Sequence, residues 1–144
     1  MTEGTPIEFQ DFLLYAMMSS ESWFHEGIAE FNRRRFFEAH EVWEVLWHGY
    51  REDDRTFLQG LIQIAAGCFH LQADNLNGAS SLIGKGLVKL ERYSNGHAGI
   101  DLETLLNRCH HLLDSIAVRR LGGDSEVDHI SIPTINSLSK DQPL

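Results

Sequence analysis

The stretch FFEAHEVWEVLW, residues 36–47, concentrates the residue types best suited to chemistry, with one histidine, three acidic residues and two tryptophans. Histidine can transfer protons or bind a metal, and a nearby carboxylate can orient it or share the metal. His40, Glu44 and Trp47 follow one another at spacings of four and three residues, which places them within a sector of about 60° on a helix. We therefore expect a polar row along this helix, with Glu41 beside His40 at its edge.

A second polar row is predicted on the next helix, at about residues 55–73. Gln59, Gln63 and His70 recur there at helical spacing among apolar neighbours. Because the connection between the two helices is short, they should pack antiparallel, and we consider the case in which the two rows face each other. The result would be a partly buried cluster of two histidines, one or two carboxylates and two amides. Each group needs a partner, since an unsatisfied buried polar group costs about 1–3 kcal/mol.

Three interpretations of this cluster stay open. In a structural network, Glu44 orients His40, the glutamines satisfy each other and Trp47 fills the gap between the helices. In a binding site, the two rows line a pocket for a ligand or a partner. In an enzyme, His40, Glu44 and His70 have the residue types of a two-histidine, one-carboxylate metal centre or of an acid–base pair. The sequence contains neither an HExxH zinc motif nor paired ExxH motifs, so the cofactor is unknown.

Helical periodicity runs through most of the chain. Apolar residues recur at helical spacing between Phe9 and Val118, without the sustained two-residue alternation of strands. This pattern predicts an all-α, compact helical bundle of about five to six helices, and a repeat of apolar positions favours antiparallel, tetratricopeptide-like hairpins. The helices are expected at about residues 8–19, 21–33, 36–50, 55–73, 79–93 and 101–118. A single helical domain would span residues 1–121, and residues 122–144 would form an extended or disordered tail.

Glycines and arginines lead to two further expectations. Four glycines lie inside the helices predicted at residues 55–73 and 79–93, where glycine costs up to about 1 kcal/mol in helix propensity, so we interpret them as close-packing points. They are Gly60, Gly67, Gly84 and Gly86. The basic run at residues 33–35 is interpreted as a solvated turn between two helices.

Composition and charge narrow the function classes. Twelve Lys and Arg residues against twenty-one Asp and Glu residues give a net charge of −9, which repels a phosphate backbone and disfavours nucleic-acid binding. Cys68 and Cys109 lack CxxC spacing, and the first residues show neither a basic leader nor an apolar run long enough for a bilayer. We therefore predict a cytoplasmic protein with reduced thiols and with neither nucleic acid nor membrane as a partner.

Four segments of the sequence resemble a known family. They are FNRRRFFEAHEVWEVLW, FLQGLIQIAAGCFHL, NGASSLIGKGLVKL and DLETLL, and in this order they are similar to the family known as domain of unknown function 309. The resemblance covers about residues 27–113. It implies a compact all-helical fold, found in bacteria and archaea, with tetratricopeptide-like hairpins, and it implies no activity. The motif positions correspond here to Glu38, His40, Glu41, Glu44, Trp47, Gln59, Gly60 and Gln63.

Three function hypotheses follow. The first is a small binding or interaction module for a protein or a small molecule, with a polar cleft between the helices at 36–50 and 55–73. The second is a metal-assisted or acid–base enzyme, which requires His40, Glu44 and His70 to converge around a solvent-reachable space. The third is a structural or regulatory homodimer subunit that buries the apolar residues 9–18 between two copies.

Overall fold

The described part of the chain is a bundle of consecutive helices. A computed structural model describes residues 19–49, 54–122 and 132–138. The α-helices are α1 (Ser20–Asn32), α2 (Phe36–Gly49), α3 (Asp54–Gln72), α4 (Leu76–Leu90) and α5 (Leu102–Arg120), with a short 3₁₀ turn at His97–Gly99. These residues contain no β-strand, only an isolated bridge between Ile100 and Ser137. The predicted all-α bundle is confirmed, and the helix predicted at residues 8–19 lies outside the described residues except for Ser19.

α1 and α2 pack antiparallel around the buried Trp43. Its indole Nε1–H donates to the carbonyl oxygen of Phe24, 3.1 Å away. Nearer the turn, Phe31 and Phe36 meet edge to face with ring centroids 4.9 Å apart. A Cβ at Gly27 would overlap the indole of Trp43, so a glycine at this position makes room for the ring. These aromatic contacts hold α2, which carries the first polar row.

α2 and α3 also form an antiparallel pair. Phe37, in the first turn of α2, lies beside Phe69, in the last turn of α3, with ring centroids 5.5 Å apart. At the opposite end of the pair, Arg55 of α3 lies against Trp47 of α2. The two polar rows therefore run alongside each other, in the antiparallel arrangement that the short connection predicts.

α3 and α4 cross closely at glycines. A Cβ at Gly86 would lie 2.7 Å from the carbonyl oxygen of Gly60, and a Cβ at Gly67 would lie 2.6 Å from the side chain of Ile83. Because Cβ atoms essentially never approach other heavy atoms within 3.0 Å, this helix separation requires glycine. The predicted close packing is confirmed at these three glycines. It is wrong at Gly84, where a Cβ would meet nothing within 4 Å.

One side-chain cap sets the start of α4. Asp74 turns the chain with a φ of 62°. The Asn75 carboxamide oxygen then accepts a hydrogen bond from the amide of Gly78 at 3.0 Å. Because this cap satisfies an amide of the first helical turn, α4 begins at Leu76 rather than at the predicted residue 79.

Residues 132–138 lie against the turn between α1 and α2. Ile132 and Ile135 are buried in the core. The guanidinium of Arg34 donates to two consecutive carbonyl oxygens of this segment, at 2.7 and 2.9 Å. The Asn32 carboxamide donates to the carbonyl oxygen of Ile135 and accepts from its amide, both at 2.8 Å. Four hydrogen bonds thus join the turn to a segment about 100 residues away in sequence.

These contacts change the interpretation of the basic run at residues 33–35. Arg33 and Arg35 are exposed and lie 3.6 and 2.8 Å from the carboxylate of Glu30, as expected for a solvated turn. Arg34 is only partly exposed, because its guanidinium is bound to the C-terminal segment. The prediction of a solvated turn is therefore wrong at Arg34.

Candidate functional site

A cavity of about 210 Å³ lies between α2 and α3, where the two polar rows meet. The lining residues are His40, Glu44, Trp47, Gln59, Ile62, Gln63, Ala66 and Leu82. The structure therefore brings together all of the predicted site residues except Glu41 and His70. Leu82 belongs to α4, so a third helix closes a wall that the two rows alone would leave open.

The Glu44 carboxylate lies between two histidines of α2. Its oxygens are 3.5 Å from Nε2 of His40 and 3.4 Å from Nε2 of His48, one helical turn before and after it. Both distances exceed the usual 2.7–2.9 Å of a charge-assisted hydrogen bond, so the contacts are loose. The side chain of His40 is 30% exposed and that of His48 is 69% exposed. His40 therefore belongs to the cavity wall, and His48 belongs to the surface.

Trp47 is covered on one face by Arg55, the second residue of α3. The guanidinium carbon of Arg55 is 3.8 Å from the indole centroid, a cation–π contact. Arg55 is not among the predicted site residues. The sequence could have indicated Arg55 as a site residue, because it stands four residues before Gln59 and so extends the second polar row by one turn.

Lys89 of α4 reaches the polar row from the other side. Its ammonium donates to the Gln63 side-chain oxygen at 2.9 Å. The structural-network interpretation expects Gln59 to be the partner of Gln63, whereas the partner found here is a cation. Lys89 is also missing from the predicted site. Neither polar row predicts Lys89, because this residue belongs to α4, which meets α2 and α3 only through tertiary packing.

Two polar atoms of the lining residues are buried without a hydrogen-bond partner among the described residues. They are Nδ1 of His40 and Nε1 of Trp47. The buried indole of Trp43 shows the contrast, since its Nε1–H donates to a carbonyl oxygen at 3.1 Å. An unsatisfied buried group costs about 1–3 kcal/mol, so each of these two residues carries a destabilising polar atom that lies beneath the cavity surface and not on it.

His70 and Glu41 lie away from the cavity. Nδ1 of His70 is 3.1 Å from the carboxamide nitrogen of Asn75, the residue that caps α4, and Glu41 is exposed. Within residues 19–49, 54–122 and 132–138, no group of three or more His, Cys, Asp or Glu side chains is arranged to hold a metal ion. The predicted metal centre of His40, Glu44 and His70 is therefore not assembled. The enzyme hypothesis keeps only the His40–Glu44 contact for acid–base chemistry.

A larger groove, of about 770 Å³, lies where α1 and α3 meet the loop at residues 96–99. At its edge, Nε2 of His97 is 2.8 Å from the carboxylate of Asp54, and the imidazole packs on Phe57 and Tyr93 with centroids 4.6 and 4.7 Å away. This pair could not be predicted from the sequence, because 43 residues separate its members. We assign the candidate site to the α2–α3 cavity, because residues of both predicted polar rows line it.

The comparison with protein families agrees with the resemblance seen in the sequence. Residues 24–82 match the model of a family described as a domain of unknown function (DUF309). This span contains every residue that lines the cavity. No curated protein matches the chain.

Of the helices α1 to α5, none has both the length and the apolar character that crossing a membrane requires. The apolar strip proposed for a homodimer, at residues 9–18, lies outside the described residues.

Proposed function

Because the description of the family that residues 24–82 match names no activity, we propose a function from the cavity itself: the protein is a binding module that holds a small polar molecule between α2 and α3. The antiparallel α2–α3 pair is the frame of this module, in keeping with the predicted tetratricopeptide-like hairpins. A small molecule suits the site better than a protein segment, because the polar residues of the site surround a recess of about 210 Å³ and not a flat face.

The observation that carries this proposal is the polar lining of one recess, in which His40 and Glu44 of α2 and Gln59 and Gln63 of α3 take part. A carboxylate accepts hydrogen bonds, and a side-chain amide both donates and accepts them. A ligand with at least one donor and one acceptor suits such a lining. Nδ1 of His40 and Nε1 of Trp47 are not counted as ligand contacts, because both atoms are buried away from the recess.

The size of the cavity limits the ligand. Its volume of about 210 Å³ corresponds to roughly seven water molecules at about 30 Å³ each. Pockets for drug-sized molecules begin at about 300 Å³. The ligand is therefore a metabolite of a few heavy atoms or one polar end of a larger molecule.

The proposal is tested by following the indole N–H signals in ¹H–¹⁵N NMR spectra while the full chain is titrated separately with acetamide, L-lactate and L-alanine. We expect at least one probe to shift the Trp47 signal saturably, because Trp47 lines the cavity and its surroundings change when the cavity is filled. The Trp43 signal should stay in place, since its donor is already bound to Phe24. A Trp47→Phe variant assigns the signal.

A matched pair of variants separates binding in the cavity from binding on the surface. His40→Gln should abolish or weaken the shift, whereas His48→Gln should leave it unchanged, although both histidines contact Glu44. A Trp47 signal that none of the three probes moves would contradict the proposal. Equal losses of binding in both variants would also contradict it, because a surface site would then explain the shift.

A further inference from the structure

The larger groove, of about 770 Å³, reaches down to the apolar core. Phe24, Phe57 and Leu58 line it, and these core residues are at most 9% exposed. The carboxylates of Glu21 and Asp54 lie at its rim, since their side chains are 84% and 49% exposed. The groove therefore has an apolar interior below a polar rim, and an apolar group inside it would shield the core from water.

The groove lies where three stretches outside the described residues join the structure, because Ser20, Asp54 and Leu138 all line it. The three stretches are residues 1–18, 50–53 and 139–144. The second reads YRED and the third reads SKDQPL, so both are mainly polar. The first contains FQDFLLYAMM. Of the three, this stretch alone is apolar enough to fill the groove.

The apolar residues of this stretch share one face of the helix that the sequence predicts there. Five of them follow the i, i+3, i+4, i+7, i+8 pattern of a helix that packs against a core. They are Phe9, Phe12, Leu13, Ala16 and Met17. The acidic Glu8 and Asp11 would fall on the opposite face of such a helix, which suits contact with solvent.

Ser19 separates this stretch from α1. Its backbone is extended, with φ −72° and ψ 159°, and its hydroxyl accepts a hydrogen bond from the amide of Ser22 at 3.1 Å as the N-cap of α1. The chain before Ser19 therefore departs from the axis of α1. Since Ser20 lines the groove, the chain departs at the groove's edge.

We propose that residues 9–18 form a helix that lays its apolar stripe into this groove of the same chain. The inference is independent of the proposed function, because the described residues that line the groove and those that line the α2–α3 cavity do not overlap. A second copy is disfavoured as the occupant, because two chains of net charge −9 repel each other. A segment attached at the groove's edge also has an effective concentration in roughly the millimolar range.

The test attaches a nitroxide to the full chain through Ser94→Cys, an exposed position in the loop beside the groove. Cys68 and Cys109 are buried, so the label should react with the introduced thiol. In ¹H–¹⁵N NMR spectra we expect the amide signals of residues 9–13 to lose most of their intensity. The same label at Ala117→Cys, an exposed position near the far end of α5, should leave these signals intact.

A mixed sample separates contact within one chain from contact between copies. It combines ¹⁵N-labelled chains without nitroxide and unlabelled chains with nitroxide at Ser94→Cys. Signals of residues 9–13 should keep their intensity in this sample, because the helix occupies the groove of its own chain.

A matched pair of variants tests whether the apolar stripe makes the contact. In the chain labelled at Ser94→Cys, Leu13→Glu places a charge on the stripe and should restore the lost intensity. Leu14→Glu places the same charge outside the stripe and should leave the signals broadened. Circular dichroism confirms that both variants are folded.

Three results would overturn the inference. Full intensity in the chain labelled at Ser94→Cys would mean that residues 9–13 do not reach the groove. An equal loss in the mixed sample would assign the groove to a second copy. Equal restoration by Leu13→Glu and Leu14→Glu would mean that the stripe does not make the contact. The Trp47 titration tests the α2–α3 cavity separately from all three.

Discussion

The guanidinium of Arg55 lies 3.8 Å over the indole ring of Trp47, and this contact joins the first turn of α3 to the last turn of α2. It closes one end of the α2–α3 pair, while Phe37 and Phe69 close the other end with centroids 5.5 Å apart. The candidate cavity lies between these two contacts. Its wall therefore depends on a stack that contributes to stability and also positions a cation.

Removal of this stack should have a modest effect on stability. Arg55→Ala should lower the free energy of unfolding by about 0.5–1 kcal/mol, the usual size of a cation–π contact at an exposed site. Arg55→Lys should recover only part of the loss, because an ammonium lacks the planar face of guanidinium. Urea unfolding measures both values, with Arg92→Ala as the control. Equal stability of the wild type and Arg55→Ala would show that the stack contributes nothing measurable.

Two glycines of α4, two residues apart, should respond to alanine in opposite directions. Gly86→Ala would place a Cβ 2.7 Å from the Gly60 carbonyl oxygen, so α3 and α4 must separate at a cost of about 1–3 kcal/mol. Gly84→Ala would meet nothing within 4 Å and should gain up to about 1 kcal/mol from helix propensity. Thermal unfolding of the two variants checks the signs. A stabilised Gly86→Ala would contradict the close crossing.

The carboxamide of Asn32 should control the local stability of the C-terminal segment. Asn32→Ala removes both hydrogen bonds to Ile135, each of which contributes about 0.5–1.5 kcal/mol. The amide of Ile135 should therefore exchange with deuterium roughly fivefold to a hundredfold faster. Asn107→Ala, at an exposed position of α5, is the control and should leave this exchange unchanged. Unaltered exchange in Asn32→Ala would mean that the buried isoleucines alone hold the segment.

The two thiols should be unreactive in the folded protein. Burial raises the pKa of Cys109 from 9.0 to about 12, and burial, with a smaller contribution from the nearby Cys109, raises the pKa of Cys68 well above 9.0. Because the thiolate is the reactive form, a thiol reagent should modify neither cysteine at neutral pH and both after unfolding in urea. Rapid labelling of the folded chain would contradict the burial of the thiols.

The same shifts predict how stability depends on pH in the alkaline range. An unfolded thiol ionises near pH 9.0 and the folded Cys109 only near 12, so the unfolded chain releases its proton first. The contribution of the buried neutral thiol is therefore fully present below pH 9 and is lost as the pH rises towards 12. The difference in unfolding free energy between the wild type and Cys109→Ala isolates this term from other groups that titrate there. A difference that stays constant from pH 8 to 11 would contradict the prediction.

The helices could be predicted closely from the sequence because helical periodicity is local. α2 was expected at residues 36–50 and is found at Phe36–Gly49, and α3 was expected at 55–73 and is found at Asp54–Gln72. The start of α4 was missed because the Asn and Gly residues there resemble a turn. In the structure the Asn75 side chain is the N-cap, so the residues that follow it already belong to the helix. Gly84 and Gly86 look alike in the sequence, and only the position of α3 distinguishes Gly84, where a Cβ would have open space, from Gly86 at the helix crossing.

By itself, the sequence determined the two polar rows, since residues spaced by three and four share a face of any helix. Only the tertiary structure decided which members of the rows meet. His70 is used at the α4 cap, and Arg55 and Lys89 join the site from positions outside the predicted cluster. The physical reason is that the crossing and rotation of packed helices are set by contacts distant in sequence, such as Gly60 against Gly86. Those same contacts leave His40 and Trp47 each with one buried atom that the protein does not satisfy.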